Sequence, residues 1–594
     1  MATTFTEIAP IKKENGIAAR VGWAALICAT LYVCYFSHLG AIGFVGPDEP
    51  RYAWIARDMA ESGDWVTPRL YGKPWFEKPP LYYWGAALCF KLFGVSEAAA
   101  RLSSAISALL ATLALAWLAW RIYGAETARW LLLLLPTTVG MIGFSHAAAT
   151  DMPFSAMLTI AMVCAAMIVG LVPERSSQDG AQYAESPRDH TPQRRWVAQI
   201  LFGVFLGLAV LAKGPAAIIL CGGAVFVWAL FTKRWRDALR LLHPAAIIAF
   251  CATALPWYIV CARRNPDFFR IFIIEHNFKR FLTPEFQHIQ PFWFYGPILL
   301  LALFPWTGIA ISAVTYVFRR KFGMQRDTLS TYILCWAFFP VIFFTVSKSK
   351  LPGYILPAIP AFVLLTAVAL AKTLRMEKVP VPAGFAVIAL TPVAAIAVVG
   401  LSEYFEPMRK GAAFGRYGFE SLLLSFAVIS AVSILSIRKK YTVAILSGVI
   451  AWVCFLVLTY LRPLPSMDPW FSPRAVASTV LRDPQMTADV RTLRLQRAWQ
   501  YGLNFYLGRP LKEWDPSQPG GYVVASTSGM QELNRNRIRY EILDDASFPA
   551  ILIRVRSSQK DSQKARALQS PSRSLGVTVN ELLPAHASSG GQPQ

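Results

Sequence analysis

Apolar stretches alternate with short polar turns from residue 21 to residue 461, many of them near the roughly 20 residues that a helix needs to cross a bilayer. The first, Val21–Leu39, follows Lys12, Lys13 and Arg20. It is too long for a signal-peptide core and no small-x-small cleavage site follows it, so it predicts an uncleaved span with a cytoplasmic N-terminus. A polar, aromatic loop then runs over about 40–80, within which Arg51–Glu61 carries the spacing of a short amphipathic helix with Ala53, Ile55, Ala56, Met59 and Ala60 on one face. Leu81–Phe93 falls short of a span and predicts an interfacial or re-entrant helix. Further spans are predicted at 99–120, 128–146, 153–172, 197–212, 214–231, 243–261, 293–317, 329–346, 352–371, 383–401, 419–437 and 441–461, giving about thirteen with the first.

Charge fixes which end of each span is which. Lys233, Arg234, Arg236 and Arg240, then Arg319, Arg320 and Lys321, then Lys372, Arg375 and Lys378, then Arg438, Lys439 and Lys440 all fall on the side that this count makes cytoplasmic, as the positive-inside rule requires. The hydrophilic stretch 173–196 falls on the same side and has the composition of a flexible insertion. An odd number of crossings puts everything after Arg462 outside, in the periplasm of a Gram-negative cell. There Tyr522–Ala525 and Ile551–Val555 predict strands, Pro473–Leu481 and Arg491–Tyr501 predict helices, and the composition beyond Ser557 predicts a loose tail. The expected organisation is a membrane domain over 1–461, a small α/β domain over 462–556 and a tail over 557–594, with no internal repeat.

Composition narrows the class. With 55% hydrophobic and 16% charged residues, this is a multi-pass membrane protein and not a soluble enzyme. The net charge of +23 sits mostly at the ends of apolar runs, so it encodes topology and not nucleic-acid binding. The nine cysteines lie in or beside apolar segments without CxxC spacing, so neither a disulfide framework nor a zinc ribbon is indicated.

The candidate chemistry gathers on the outer side. Asp48 and Glu49, set between Pro47 and Pro50 in Gly46-Pro-Asp-Glu-Pro-Arg-Tyr-Ala53, stand where the first span meets water. They suit the first turn of a helix as well as a reaction centre. The same topology places Glu77-Lys78, Asp151, the loop 263–292 with Arg280 and the Glu275-His276 pair, and Ser347–Tyr354 with Lys348 and Lys350 on that face. Cations on the side that the charge rule disfavours call for an anion, and a lipid phosphate fits. Carboxylates that orient a nucleophile, beside cations that hold a departing phosphate, suit glycosyl transfer. Tyr354 would add a hydrogen bond. Plainer readings stand beside these: Lys348 and Lys350 as snorkelling lysines, Glu77 and Lys78 as a surface pair, Glu275 and His276 as a polar loop contact instead of divalent-metal ligands with Glu77, and Trp54, Tyr71, Trp75, Tyr82, Tyr83 and Trp84 as an interface belt instead of a sugar platform.

Taken together, Gly46–Ala53, Gly-Asp-Trp-Val-Thr-Pro-Arg-Leu (63–70), Phe-Glu-Lys-Pro-Pro-Leu (76–81), Thr-Asp-Met-Pro (150–153) and Ser-Lys-Leu-Pro-Gly-Tyr-Ile-Leu-Pro (349–357) resemble the bacterial branch of the protein O-mannosyltransferase superfamily, most closely the lipid A 4-amino-4-deoxy-L-arabinose transferases. The resemblance covers roughly 20–460 and is weak beyond 462. It implies a GT-C fold, mainly α, with juxtamembrane periplasmic helices and a C-terminal periplasmic domain, in the inner membrane. It also implies an undecaprenyl-phosphate-linked sugar donor, an acceptor such as lipid A or another envelope molecule, and no nucleotide cofactor. By the same resemblance Asp48 is the catalytic aspartate, with Glu49 beside it, and Asp151 a second functional one. Glu77 and Lys78 match the first-loop pair, Arg280 and Tyr354 match phosphate-contacting positions, and a divalent metal would fall near Glu77, Glu275 and His276. The competing class is a transporter or flippase of such a lipid, which would favour repeats and ionisable groups at the bilayer midplane.

Overall fold

The computed structural model describes residues 16–172, 192–272, 290–321, 328–375, 441–461, 463–515, 520–544 and 549–556. Among them are eight helices long and apolar enough to cross a membrane, two bent helix pairs that pass the same test, and the shorter apolar helix Ala216–Thr232. The spans expected at 383–401 and 419–437 lie outside the described residues.

Asp151–Ile168 is the central helix, buried almost all round, and it packs against Glu97–Tyr123 and Pro192–Lys213. Glu97–Tyr123 turns a face of alanines inward, including Ala105, Ala108, Ala111 and Ala119, and small residues let helix backbones approach closely where lipid supplies no hydrophobic drive. Gly203 and Gly207 do the same for the next pair: a Cβ at either would strike Ala246, Ala249 or Thr253 of the helix Pro244–Arg264.

Two expected spans are broken. Residues 128–146 divide into Ala125–Leu134 and Val139–Ser145 at an angle of 61°, and residues 293–317 into Tyr295–Ala302 and Thr307–Lys321, bent by 112°. Backbone groups freed inside a membrane need internal partners. At the first break Trp452 donates its indole N–H to the Thr137 carbonyl (2.9 Å), Trp306 donates to the Thr137 hydroxyl (2.8 Å), and Val139 donates to Phe304 (2.9 Å).

The first loop forms the helix Asp48–Ser62, a short hairpin of Arg69–Leu70 with Lys73–Pro74, and the helix Leu81–Phe93. Both expected helices are present, and they pack on each other through Tyr52, Ala53, Ala56, Tyr82, Tyr83 and Ala86.

The C-terminal region is a four-stranded sheet in the order Arg491–Leu493, Tyr522–Ser526, Ala550–Val555, Tyr540–Asp544, parallel in the first pair and antiparallel in the others. Alternation splits its faces: Val524 and Leu552 pack with Val476, Val480, Trp499 and Leu503, while Val523, Ala525 and Ile553 pack with Met530 and Leu533. The helix expected at Arg491–Tyr501 is corrected. Arg491–Leu493 pairs with Val523–Ala525 as a strand, Arg494 takes a positive φ of 53°, and the helix starts at Arg497.

Candidate functional site

Asp48 and Glu49 are the first two residues of the helix Asp48–Ser62, preceded by Pro47 with Pro50 still in the first turn, where its missing N–H costs nothing. The helix-cap reading and the site reading therefore describe the same residues. Neighbours on a helix point about 100° apart, and the pair divides accordingly. Glu49 turns inward to Arg101, accepting from Nε at 3.0 Å and Nη2 at 2.8 Å, and also accepts the amides of Val45 (2.8 Å) and Ala148 (2.7 Å). Its four contacts make Glu49 a brace. Asp48 turns outward, with 53% of its side chain exposed.

Arg51, one turn on, reaches two carboxylates with one nitrogen: Nη2 is 2.5 Å from Asp48 Oδ1 and 3.0 Å from Glu77 Oε2. Its guanidinium lies over the Tyr52 and Trp75 rings at 5.2 and 5.5 Å, a placement that suits a planar cation. Lys78 continues the row, its Nζ 3.6 Å from Glu77 Oε1. Loss of water around its half-exposed side chain pushes the Asp48 carboxyl up from its ordinary range, Arg51 pulls it down, Glu77 pushes it up again, and Lys78 and Asp151 act more weakly in opposite senses. The Ala148 amide on Glu49, at 2.7 Å, ties the turn just before Asp151 to the start of the first-loop helix.

Asp151 opens the helix Asp151–Ile168, and Lys213, the last residue of Pro192–Lys213, lies 2.5 Å from its Oδ1. The same ammonium stands 4.8 Å from the centre of the Tyr354 ring. Gly353 packs directly on the Asp151 carboxylate, where any Cβ would overlap it. Thus Asp48, Glu77, Lys78, Asp151 and Tyr354 are brought to one end of the bundle by four separate stretches of chain.

Other expected site residues stand differently. Lys350 is buried and folds back, donating from Nζ to the Ser347 carbonyl at 2.7 Å, whereas Lys348 is exposed. Arg280, Glu275 and His276 lie outside the described residues. Among the described residues no group of three His, Cys, Asp or Glu side chains could hold a metal; of the three expected ligands only Glu77 is described, and its two oxygens face Arg51 and Lys78. Tyr82 and Tyr83 are fully buried in the loop's own core, so these two form neither a belt nor a platform, while the half-buried Trp84 donates to the Trp65 carbonyl at 2.8 Å.

Sequence reasoning gave no role to Arg51, Arg101 or Lys213. A signal was there for two of them: Arg101 is a lone arginine in an alanine-rich run, and Lys213 ends an apolar run just before Gly214-Pro215.

The model of the dolichyl-phosphate-mannose-protein mannosyltransferase family matches residues 22–272. An undecaprenyl phosphate-alpha-4-amino-4-deoxy-L-arabinose arabinosyl transferase of Edwardsiella ictaluri is 33% identical over 348 residues, 58% of this chain and 59% of the relative. One from Pseudomonas aeruginosa is 30% identical over 361 residues, 61% of each. The matches span about three fifths of the length of these curated relatives. The crystal structure of ArnT from Cupriavidus metallidurans bound to undecaprenyl phosphate shares the fold, with a TM-score of 0.72 at 22% identity over 90% of this chain and 98% of that one.

Proposed function

We propose that this chain, which has the fold of the GT-C superfamily and stands close in sequence to the undecaprenyl-phosphate 4-amino-4-deoxy-L-arabinose transferases, moves a sugar from an undecaprenyl-phosphate carrier to an acceptor of the cell envelope. In its finer form the sugar is 4-amino-4-deoxy-L-arabinose, the acceptor is lipid A, and the reaction runs on the periplasmic side of the inner membrane, with the N-terminus in the cytoplasm. The observation that carries the reading is the row Asp48–Arg51–Glu77–Lys78 meeting Asp151, Lys213 and Tyr354 at one end of the bundle.

The chemistry follows from what each group offers. The bond from the anomeric carbon to the carrier phosphate breaks, the phosphate departs with the electron pair, and an acceptor oxygen bonds to the carbon. Charge grows on the departing phosphate, so Lys78 and the Tyr354 hydroxyl bind it more strongly in the transition state than in the ground state; Arg280 would join them. Asp48, open to solvent and held by Arg51, takes the proton if the acceptor is a hydroxyl and orients the partners if the acceptor is an ionised phosphate. Asp151, fixed by Lys213 and Gly353, holds the far wall. Glu49 serves through Arg101 as a positioning residue.

The test is reconstitution of the full chain in lipid nanodiscs with undecaprenyl phosphate-α-4-amino-4-deoxy-L-arabinose and lipid A, read by mass spectrometry. Transfer that is lost in Asp48→Asn is expected. No added mass on lipid A would remove the finer reading. No release of undecaprenyl phosphate with any envelope acceptor would remove the reaction class.

A further inference from the structure

The segment Leu39–Val45, which leads from the first span to Asp48, belongs to no helix or strand, so its backbone polar groups need other partners. They find them in side chains. Arg101 donates to the carbonyls of Leu39 (2.8 Å), Ile42 (2.7 Å) and Gly43 (2.8 Å), and with its two bonds to Glu49 all five of its N–H groups are used. The remaining grip comes from more than 400 residues away, as the separations of 425 and 462 positions record. Arg474 donates to the carbonyls of Gly40 (2.9 Å) and Ala41 (3.2 Å), Asp468 accepts the Gly43 amide (2.6 Å), and the Tyr506 hydroxyl accepts the Phe44 amide (3.0 Å).

These three residues are themselves locked together. Arg474 Nε donates to Asp468 at 2.8 Å, and the Tyr506 hydroxyl donates to Glu97 at 2.9 Å, with Arg474 Nη1 on the same Glu97 oxygen at 3.3 Å. Gly43 lets the strands of chain meet, since a Cβ there would overlap Ser472 and Tyr506. The Phe44 ring, buried, stands edge-on to Phe505 at 4.8 Å. The hold continues into the site: Val45 donates to Glu49, and Glu49 also accepts the amide of Ala148, three residues before Asp151.

We infer that the C-terminal domain is a positioning part of the reaction centre, in which Asp468, Arg474 and Tyr506 hold the Leu39–Val45 segment so that Asp48 keeps its place opposite Asp151. This rests on the glycosyl-transfer reading above. The domain thereby governs turnover and not the capture of donor or acceptor. A displacement near 1 Å at a reacting group costs up to about a hundredfold in rate, so partial loosening is expected to cost about tenfold.

The experiment uses the full chain in nanodiscs with undecaprenyl phosphate-α-4-amino-4-deoxy-L-arabinose and lipid A. Tyr506→Phe removes one hydroxyl and leaves the ring, so it is the variant that keeps the fold; Asp468→Asn and Arg474→Lys accompany it. Expected are faster hydrogen exchange at the amides of 43–45, kcat lowered about tenfold, KM for donor and acceptor unchanged within about twofold, and partial recovery in Arg474→Lys relative to Arg474→Ala. Faster exchange with unchanged kcat overturns the inference, as does unchanged exchange. A raised acceptor KM at constant kcat overturns it in favour of an acceptor-binding domain. Should the wild-type chain release no undecaprenyl phosphate with lipid A or any other envelope acceptor, the glycosyl-transfer reading and this inference about turnover fall together, whereas normal wild-type transfer with normal Tyr506→Phe kinetics sinks only the inference.

Discussion

The Lys213 ammonium lies 2.5 Å from the Asp151 carboxylate, with 11% and 21% of the two side chains exposed. Removing one partner of such a nearly buried pair takes the nearest counter-charge from the other, at a cost on the order of 3 kcal/mol. Lys213→Met is therefore expected to lower the thermal midpoint and to abolish most transfer. Asp151→Asn combined with Lys213→Met should recover much of the stability, because no lone charge remains, yet recover none of the activity. Differential scanning fluorimetry and turnover on the two variants check this. A double variant with near-native turnover would place the pair outside the reaction.

Asp48 carries the pH dependence. Its carboxyl is raised first by burial, with Arg51 opposing and Glu77 adding, so the folded chain keeps a proton there over a range in which the unfolded chain has lost it. Stability contributed by that proton is present below the ordinary carboxylate range and is lost as pH rises through the raised value. Asp48→Asn, which cannot ionise, is predicted to match or exceed wild type in thermal midpoint at neutral pH, with the difference vanishing in acid, while transfer disappears. At 53% side-chain exposure solvent screening keeps the stability effect small. A variant less stable than wild type at neutral pH and equal to it in acid would reverse the sign argued here.

Arg51 sets how far Asp48 is shifted, because one nitrogen serves Asp48 and Glu77 together. In Arg51→Gln the cation goes and two neighbouring carboxylates remain, so the acidic limb of the rate profile should move to higher pH. Arg51→Lys should move it less, since a single ammonium keeps the charge without the planar fork. Rates measured from acid to neutral pH decide the matter, and an unmoved acidic limb in Arg51→Gln would break the link between this arginine and the Asp48 proton.

What the chain's local pattern encodes and what it does not are separated by sequence distance. The helices Asp48–Ser62 and Leu81–Phe93 were legible because their apolar spacing and flanking prolines and glycines are local. That the turns carrying Asp48, Glu77 and Asp151 share a side was an expectation from the crossing count, because odd and even crossings sort turns to opposite faces. The partner of Glu49 was not, because Arg101 lies 52 residues on. Nor was that of Asp151, 62 residues before Lys213. Each of these cations looks from its neighbourhood like a charge at a helix end. Arg491–Leu493 was misread because three residues are too few to display a period, and its pairing with the distant Val523–Ala525 and with Glu513 makes it a strand. The docking of Asp468, Arg474 and Tyr506 on Gly40–Phe44 has no sequence signal beyond the residues themselves.

Gly353 offers the sharpest steric probe of the site. Its φ is not in the left-handed region, so alanine suits the backbone, but the new methyl would stand 2.5 Å from Asp151 Oδ1 and 2.9 Å from Phe144 Cε1. Neither neighbour gives way easily: the carboxylate is tied to Lys213 and the ring is a stiff edge. Gly353→Ala should therefore push Asp151 off its place and lower kcat by about ten- to a hundredfold, at a stability cost of about 1–3 kcal/mol from overpacking. If the loss travels through Asp151, adding Gly353→Ala to Asp151→Asn should lower the rate no further, since residues acting as a unit are not additive. A multiplicative loss in the double variant would mean that Gly353 acts through Tyr354 or the backbone, and would separate the Ser349–Tyr354 segment from the Asp151 carboxylate.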